Sequence, residues 1–312
     1  MNISENDLLS SLSKAKDIML KIMAEFNTLV RPGNRILDIA EKIEGEIESQ
    51  GGMWAFPANI CIGSIAAHYT PLLGEEKTVP DDEIIKIDFG VAINGYILDK
   101  AISLYFGEDD ERKALVETAR EALEKALAKI KVGTQYSDIA YEVYDFVKSR
   151  GFKVIENLHG HRLEQWRLHT EDEIPVHPEV KAKGVFGEGE VYAIEVFVTN
   201  GKGFAEAMDE SRIYSLPSFL LDLKRIKLPI HLRAARDVFN WIWRKRKTLP
   251  FSLRHLRKAF DEPTVRVALA ILEQYGLIVK YNVLTESQGS VAQAEETILV
   301  KKDGIEILTR PK

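Results

Sequence analysis

Residues 31–52, RPGNRILDIAEKIEGEIESQGG, recur without a gap as residues 131–152, KVGTQYSDIAYEVYDFVKSRGF, at an offset of 100. Gly33, Asp38, Ile39, Ala40, Ser49 and Gly51 return as Gly133, Asp138, Ile139, Ala140, Ser149 and Gly151. In the first copy Ile36, Ile39, Ala40, Ile43 and Ile47 fall at helical spacing, and glycines bracket both segments. Each copy therefore predicts one amphipathic helix. Another helical stretch precedes each, over roughly 5–30 and 110–130. Strand-like segments follow, EIIKIDFGVAINGY and EVYAIEVFVTNGKG, which both alternate and both begin with an acid, Glu83 or Glu190. Each carries a second acid five residues on, Asp88 or Glu195. A helix-helix-strand-strand unit made twice can bury its apolar faces by joining its strands into one curved antiparallel sheet under the helices. The expected class is α+β, with two pseudosymmetric halves and an inner sheet face free to hold a site.

At 312 residues the chain suits one main domain with a smaller module. Its 45% hydrophobic and 29% charged residues are those of a folded globular protein. No apolar run approaches the ~18 residues of a membrane helix, and the first residues mix acids with lysines. Neither a membrane span nor a signal peptide is expected, and the expected location is cytoplasmic. The single cysteine, Cys61 in NICIGSI, reads as a buried structural thiol in a reducing compartment. A net charge of −6 opposes nucleic-acid binding by the whole chain and leaves local patches open.

In KIDFGVAINGYILDKA the Asn94-Gly95 pair predicts a two-residue type I′ hairpin. That turn sets Ile93 opposite Tyr96, Gly90 opposite Asp99 and Asp88 opposite Ala101, so Asp88 and Asp99 become diagonal neighbours on one face. A lone strand aspartate is ordinarily a surface acid, but Asp88 lies among Ile84, Ile85, Ile87 and Phe89. Two unpaired carboxylates side by side raise each other's pKa unless a cation neutralises them. Glu195, the pseudosymmetric mate of Asp88, is a further candidate. HGH (159–161), expected at the end of the strand before it, offers His159 or His161 as a nitrogen donor. In SVAQAEETILV, Glu295 and Glu296 point to opposite faces, so only one can join the site. Four carboxylates and one imidazole carry a charge near −4, which two divalent cations cancel; the oxygen-rich set suits Mn, Fe(II), Co or Zn.

AAHYTP, KIDFG with LDKA eleven residues on, NLHGH, EGEVYAIE and VAQAEETI resemble, in this order, the signature segments of type 2 methionine aminopeptidases. The similarity spans nearly the whole chain. It implies the pita-bread fold and five metal ligands, Asp88, Asp99, His161, Glu195 and Glu295, with Asp99 and Glu295 bridging two divalent metals. It further implies that His68 and His169 flank the substrate and assist proton movement and carbonyl polarisation. Phe56, in AFPANI, is implied to help form the pocket for the methionine side chain. The substrate would be a peptide or nascent-chain N-terminus, the bridging water the nucleophile, and the protein a monomer.

On this resemblance the catalytic domain spans 1–217, a winged-helix-like insertion spans 218–285, and residues 286–312 complete the catalytic domain. The insertion's run RKRKTLPFSLRHLRK holds seven Lys/Arg within 244–258. A solvated helix face is the ordinary reading of such a run, with ribosome or nucleic-acid contact as its alternative; Trp241 and Trp243 suit a core equally well. Several positions depart from the family pattern: Lys100 after Asp99, Val196 after Glu195, Ala294 and Glu296 around Glu295, and Thr170 and Glu171 after His169. Groups behind metal ligands orient them, so these changes bear on activity and methionine specificity. Two other readings follow: a pita-bread protein turned RNA-, ribosome- or protein-binding module, and an Xaa-Pro peptidase.

Overall fold

The computed structural model describes residues 5–223 and 232–311; expectations touching residues 1–4, 224–231 and 312, including part of the 218–285 module, lie outside it. Helices α1 (Glu5–Leu29) and α2 (Ile36–Ser49) lead into short strands β1 (Met53–Trp54), β2 (Asn59–Ile62) and β3 (Ile65–Ala67). The hairpin β4 (Ile85–Ile93) and β5 (Tyr96–Leu104) closes the first half. The second half repeats the plan with α3 (Asp110–Lys129), α4 (Tyr136–Ser149), β6 (Lys153–Val154), β7 (Gly160–Leu163), β8 (Glu173–Ile174), β9 (Val191–Thr199) and β10 (Ala205–Ser215). A 3-10 turn (Ser218–Asp222), α5 (Arg233–Arg246), β11 (Phe251–Ser252), α6 (Leu253–Arg257) and α7 (Glu262–Gln274) follow. The chain then returns through β12 (Val279–Glu286), β13 (Val291–Lys301) and β14 (Gly304–Ile307).

The repeat is structural as well as sequential. Gly33 and Gly133 share a left-handed φ of +84° and +83°, and donate their N–H groups to Val79 and Phe186, both at 2.9 Å. Arg35 and Gln135, which cap α2 and α4, form equivalent bridges to Thr78 and Val185. Ile36, Ile39, Ile43 and Ile47 form the buried stripe of α2, and Tyr136, Ile139, Val143 and Val147 that of α4. Each such side chain contributes about 1.5–3 kcal/mol by leaving water.

The curved layer of strands consists of three hydrogen-bonded sheets. β4 pairs with β1, β2 and β5; β9 pairs with β6, β7 and β13; and β12 lies between β10 and β3. Strands β5 and β13 run side by side where the halves meet, and side-chain hydroxyls join them. Thr297 Oγ1 accepts from the Asp99 N–H and donates to the Asp99 carbonyl, both at 2.7 Å. Ser103 Oγ treats Gln293 in the same way, at 2.7 and 2.8 Å. The buried Lys86 ammonium donates to the carbonyls of Gly63 and Val291, both at 2.9 Å. Cys61, opposite Lys86 on β2, is buried with its thiol pushed up to about 11. Gly160 and His161 open β7, with His159 just before it, instead of ending a strand, because a turn from Ile155 to Leu158 stops β6 after two residues. None of the described helices is long and apolar enough to cross a membrane.

The run 244–258 is only in part a solvated face: Arg244, Lys245, Arg257 and Lys258 are exposed. Arg246 and Arg254 are buried at 2% and 0% exposure, while Arg257 and Lys258 pair with Glu262 and Glu41. Trp241 and Trp243 pack against the core. Arg254 forks onto the buried Glu44 of α2, at 2.5 and 2.9 Å, and so docks α6 on the first half. The Ser252 N–H donates to His255 Nδ1, which leaves His255 Nε2 to carry the proton it donates to Glu44 at 2.9 Å. Burial pushes the Glu44 carboxyl up, but His255 and Arg254 outweigh it and hold the group well below the usual carboxylate range. A depressed carboxyl stabilises the fold above its unfolded pKa and loses that contribution as pH falls. Glu44→Gln, which leaves the Arg254 charge buried without a carboxylate, should destabilise the protein by about 3 kcal/mol at neutral pH in urea unfolding. That difference should shrink as pH falls below about 4.5; a gap that stays constant into acid would refute the ion-pair account.

Candidate metal centre and active site

Each site residue reaches the inner face for a local reason. Asn94 and Gly95 adopt φ of +54° and +84°, as a type I′ turn requires. The register is the expected one: Ile93 faces Tyr96, Gly90 faces Asp99, and Asp88 faces Ala101. Asp88 and Asp99 therefore share a face. In the second half Glu195 and Glu295 are direct cross-strand partners, and His161 stands opposite Ala193.

These five side chains meet on one cavity of about 320 Å³. Asp99, His161 and Glu295 are buried and offer ligand atoms within 4.8 Å of one another. His161 Nε2 lies 3.8 Å from Asp99 Oδ2. Asp88 and Glu195 are half-buried and open to the cavity. Asp88 Oδ1, Asp99 Oδ1 and His161 Nδ1 are buried with no hydrogen-bond partner among the described residues. Burial raises the Asp88 carboxyl to about 7, against a 3.2 Å bond from Asn59 Nδ2 that favours its ionised form. Burial and repulsion by neighbouring acids raise Asp99, Glu195 and Glu295 well above the usual range. Burial lowers His161 to about 4, so its imidazole is neutral at physiological pH, the form that ligates metal. Crowded hard oxygens, one neutral imidazole and orphaned lone pairs form a donor set that divalent cations fit.

His68 and His169 line the same cavity. His68 follows β3 in the left-handed region, φ +64°, and its Nδ1 lies 3.0 Å from the Asn282 carbonyl. A carbonyl can only accept, so Nδ1 carries the proton and Nε2 is left as an acceptor. Burial lowers the pKa of His68, and burial with the nearby His161 and His68 lowers that of His169. His169 is exposed where it opens onto the cavity, its ring edge-on to His161 at 4.4 Å between centroids. Phe56, Leu168, Ile213 and Pro250 form apolar wall. His159 lines the cavity too, with its Nδ1 unpartnered among the described residues.

Sequence reasoning missed three residues. Tyr281 packs on both His68 and His169, at 5.6 and 5.9 Å. Gln293 Nε2 donates to Glu195 Oε2 and Glu295 Oε2, at 3.2 and 3.3 Å, and Asn59 holds Asp88. Alternation could have found Gln293, two residues before Glu295 and hence on its face; Asn59 and Tyr281 depend on pairings no local pattern reveals. Of the six departures from the family pattern, only Thr170 lines the cavity. Val196 and Ala294 are cross-strand partners in the core beneath the helices. Lys100 and Glu296 form a buried 2.6 Å ion pair on the face away from the cavity.

The architecture and the donor set are those of a pita-bread metallopeptidase. Residues 10–302 match the model of metallopeptidase family M24, and the chain belongs to that family. It is 38% identical over 302 residues to a methionine aminopeptidase of Thermococcus kodakarensis, covering 96% of this chain and 98% of that one. Among solved structures, a thermophilic Arx1 superposes with a TM-score of 0.84 at 19% identity, covering 98% of this chain and 91% of that one. A methionine aminopeptidase from Thermotoga maritima gives 0.67 at 21% identity, covering 98% and 97%. At such identities these two likenesses concern the fold alone.

A carboxyl raised in the fold stabilises it below the unfolded pKa and loses that contribution as pH rises through the folded value, about 7 for Asp88. Chelated protein should therefore lose thermal stability between about pH 4 and pH 8, and Mn²⁺ should raise Tm more at the upper end than at the lower. A metal-induced shift that is equal across this range would rule these carboxylates out as the ligands.

Proposed function

We propose that this chain is a metal-dependent methionine aminopeptidase in which Asp88, Asp99, His161, Glu195 and Glu295 hold two divalent cations. The observation that carries this reading is the convergence of four carboxylates and a neutral imidazole on one apolar-walled cavity. It does so in a chain that aligns end to end with a methionine aminopeptidase. When bound, such cations polarise a carbonyl and lower the pKa of water enough to supply a nucleophile near neutral pH.

The chain's own groups do the rest. The unprotonated Nε2 of His68 can accept a proton or hydrogen bond from the substrate backbone, and neutral His169 can donate to its carbonyl. Gln293 holds Glu195 and Glu295 together, and Asn59 keeps Asp88 turned to the cavity. The apolar wall at Phe56 and Pro250 receives the methionine side chain, while the acids favour a free terminal amine over a blocked one. A ribosome contact through 244–258 would fall to Arg244, Lys245 and Lys247, because the other four cations of the run are internal or paired.

Protein supplied in turn with Mn, Co, Fe(II) and Zn should release methionine from a Met-Ala-Ser peptide and leave its N-acetylated form intact. His68→Ala should cut kcat by about 10²–10⁴-fold, and Glu195→Ala should abolish turnover and lower metal content. Cleavage of Xaa-Pro peptides without methionine release would replace this reading with the proline-specific one.

A further inference from the structure

Two buried arginines of the insertion reach into the first half, and one of them has no carboxylate partner among the described residues. Arg246 Nη2 donates to the carbonyls of Trp54, Ala55 and Pro250 at 2.6, 3.2 and 3.0 Å, and its guanidinium lies 3.3 Å from the Trp54 ring centroid. Its Nε has no hydrogen-bond partner among the described residues. Burial pulls this guanidinium down to about 9, against the attraction of Glu44 and Glu48. A charge kept inside on carbonyl dipoles and one aromatic face is costly, so its position calls for an explanation.

The three carbonyls belong to two of the segments that form the apolar wall. Ala55 precedes Phe56, and Pro250 itself lines the cavity. From the other side the 54–56 segment is pressed onto the hairpin that carries Asp88 and Asp99: the Ala55 N–H donates to the Gly90 carbonyl at 2.8 Å. A Cβ on Gly90 would lie 2.7 Å from both Ala55 Cβ and the Phe56 ring. Gly90 is the cross-strand partner of Asp99. Lys247, directly after Arg246, takes a left-handed φ of +54°, and the Leu249 N–H returns to the Arg246 carbonyl at 2.9 Å. This turn brings Pro250 back under the same guanidinium, and strain of that kind persists only where surroundings hold it.

We infer that Arg246 is a positioning residue for side-chain specificity: it clamps the Phe56 and Pro250 walls at a fixed separation, referenced through Gly90 to the strand carrying Asp99. The insertion thereby sets the width of the pocket for the N-terminal side chain without touching the reacting atoms. The inference rests on the methionine aminopeptidase reading and adds the source of its selectivity.

The test uses the full, metal-loaded chain with Arg246→Met and Arg246→Lys. Equilibrium binding of L-methionine and L-leucine is measured by calorimetry, beside kcat and KM on Met-Ala-Ser and Leu-Ala-Ser peptides. Arg246→Met should reduce the preference for methionine over leucine by about tenfold or more, in binding and in kcat/KM. The loss should fall on KM more than on kcat, and Arg246→Lys, which keeps one donor on the carbonyls, should recover part of it. An unchanged methionine-to-leucine ratio beside a lowered Tm would make Arg246 merely structural and overturn the inference. If Arg246→Met does not fold, the same ratio read on Arg246→Lys decides. A wild-type chain that binds neither amino acid and cuts neither peptide sinks the functional reading and the inference with it; wild-type selectivity that survives both substitutions sinks the inference alone.

Discussion

Four carboxylates held on one cavity wall are the constraint to which the rest of this molecule answers. At an effective dielectric of about 20, two ionised groups roughly 4 Å apart repel by about 4 kcal/mol, and here Asp99, Glu195 and Glu295 are each raised by neighbouring acids. Flexible elements would let them separate. These acids instead sit on long ladders, where Glu195 and Glu295 face each other because nine consecutive residue pairs of β9 and β13 do. The Asn94-Gly95 turn similarly commits Asp88 and Asp99 to one face. The repulsion is thus imposed by backbone hydrogen bonding and core packing, and it becomes binding energy for a cation.

The same strands separate chemistry from support. Residues on the inner face meet the cavity, and those between them enter the layer beneath the helices, where Val196 and Ala294 pack. The Lys100–Glu296 pair belongs to that hidden layer, extended by Thr309 and Arg310 around the Glu296 carboxylate. Thr309 Oγ1 also accepts the Thr297 N–H at 3.0 Å, and Thr297 grips both backbone groups of Asp99 across the seam. Behind the sheet this layer reaches Asp99 through backbone placement, and the Lys100 ammonium also favours the ionised form of the Glu295 carboxyl, against burial and the neighbouring acids that raise it.

How much of this was legible from sequence follows the range of the interaction involved. The repeat, the helices and the hairpin register rest on local periodicity and turn chemistry, so Asp88 and Asp99 could be paired by counting residues. Glu295 and His161 required the family resemblance, because alternation leaves Glu295 and Glu296 equivalent and cannot rank His159 against His161. Asn59 and Tyr281 were invisible: each meets the site through pairings, β2 with β4 and β12 with β3, whose partners lie far apart in the chain. The hydroxyl seam between β5 and β13 was equally hidden, since Thr297 and Ser103 are unremarkable strand residues until the halves meet.

The basic run shows a different failure, one of direction. A count of lysines and arginines along 244–258 says nothing about which way each side chain points, and the ordinary expectation of a solvated face followed from the count. Yet α5 buries Ala235, Val238, Phe239 and Ile242, and position 246 continues that stripe at a spacing of four. An arginine on the apolar stripe of a helix must either snorkel out or find acceptors inside. Arg246 finds three carbonyls and an indole face, and Arg254 finds Glu44. Two cations that seemed to mark an external surface instead fasten the insertion to the first half, Arg246 at the 54–56 segment beside the cavity and Arg254 at α2.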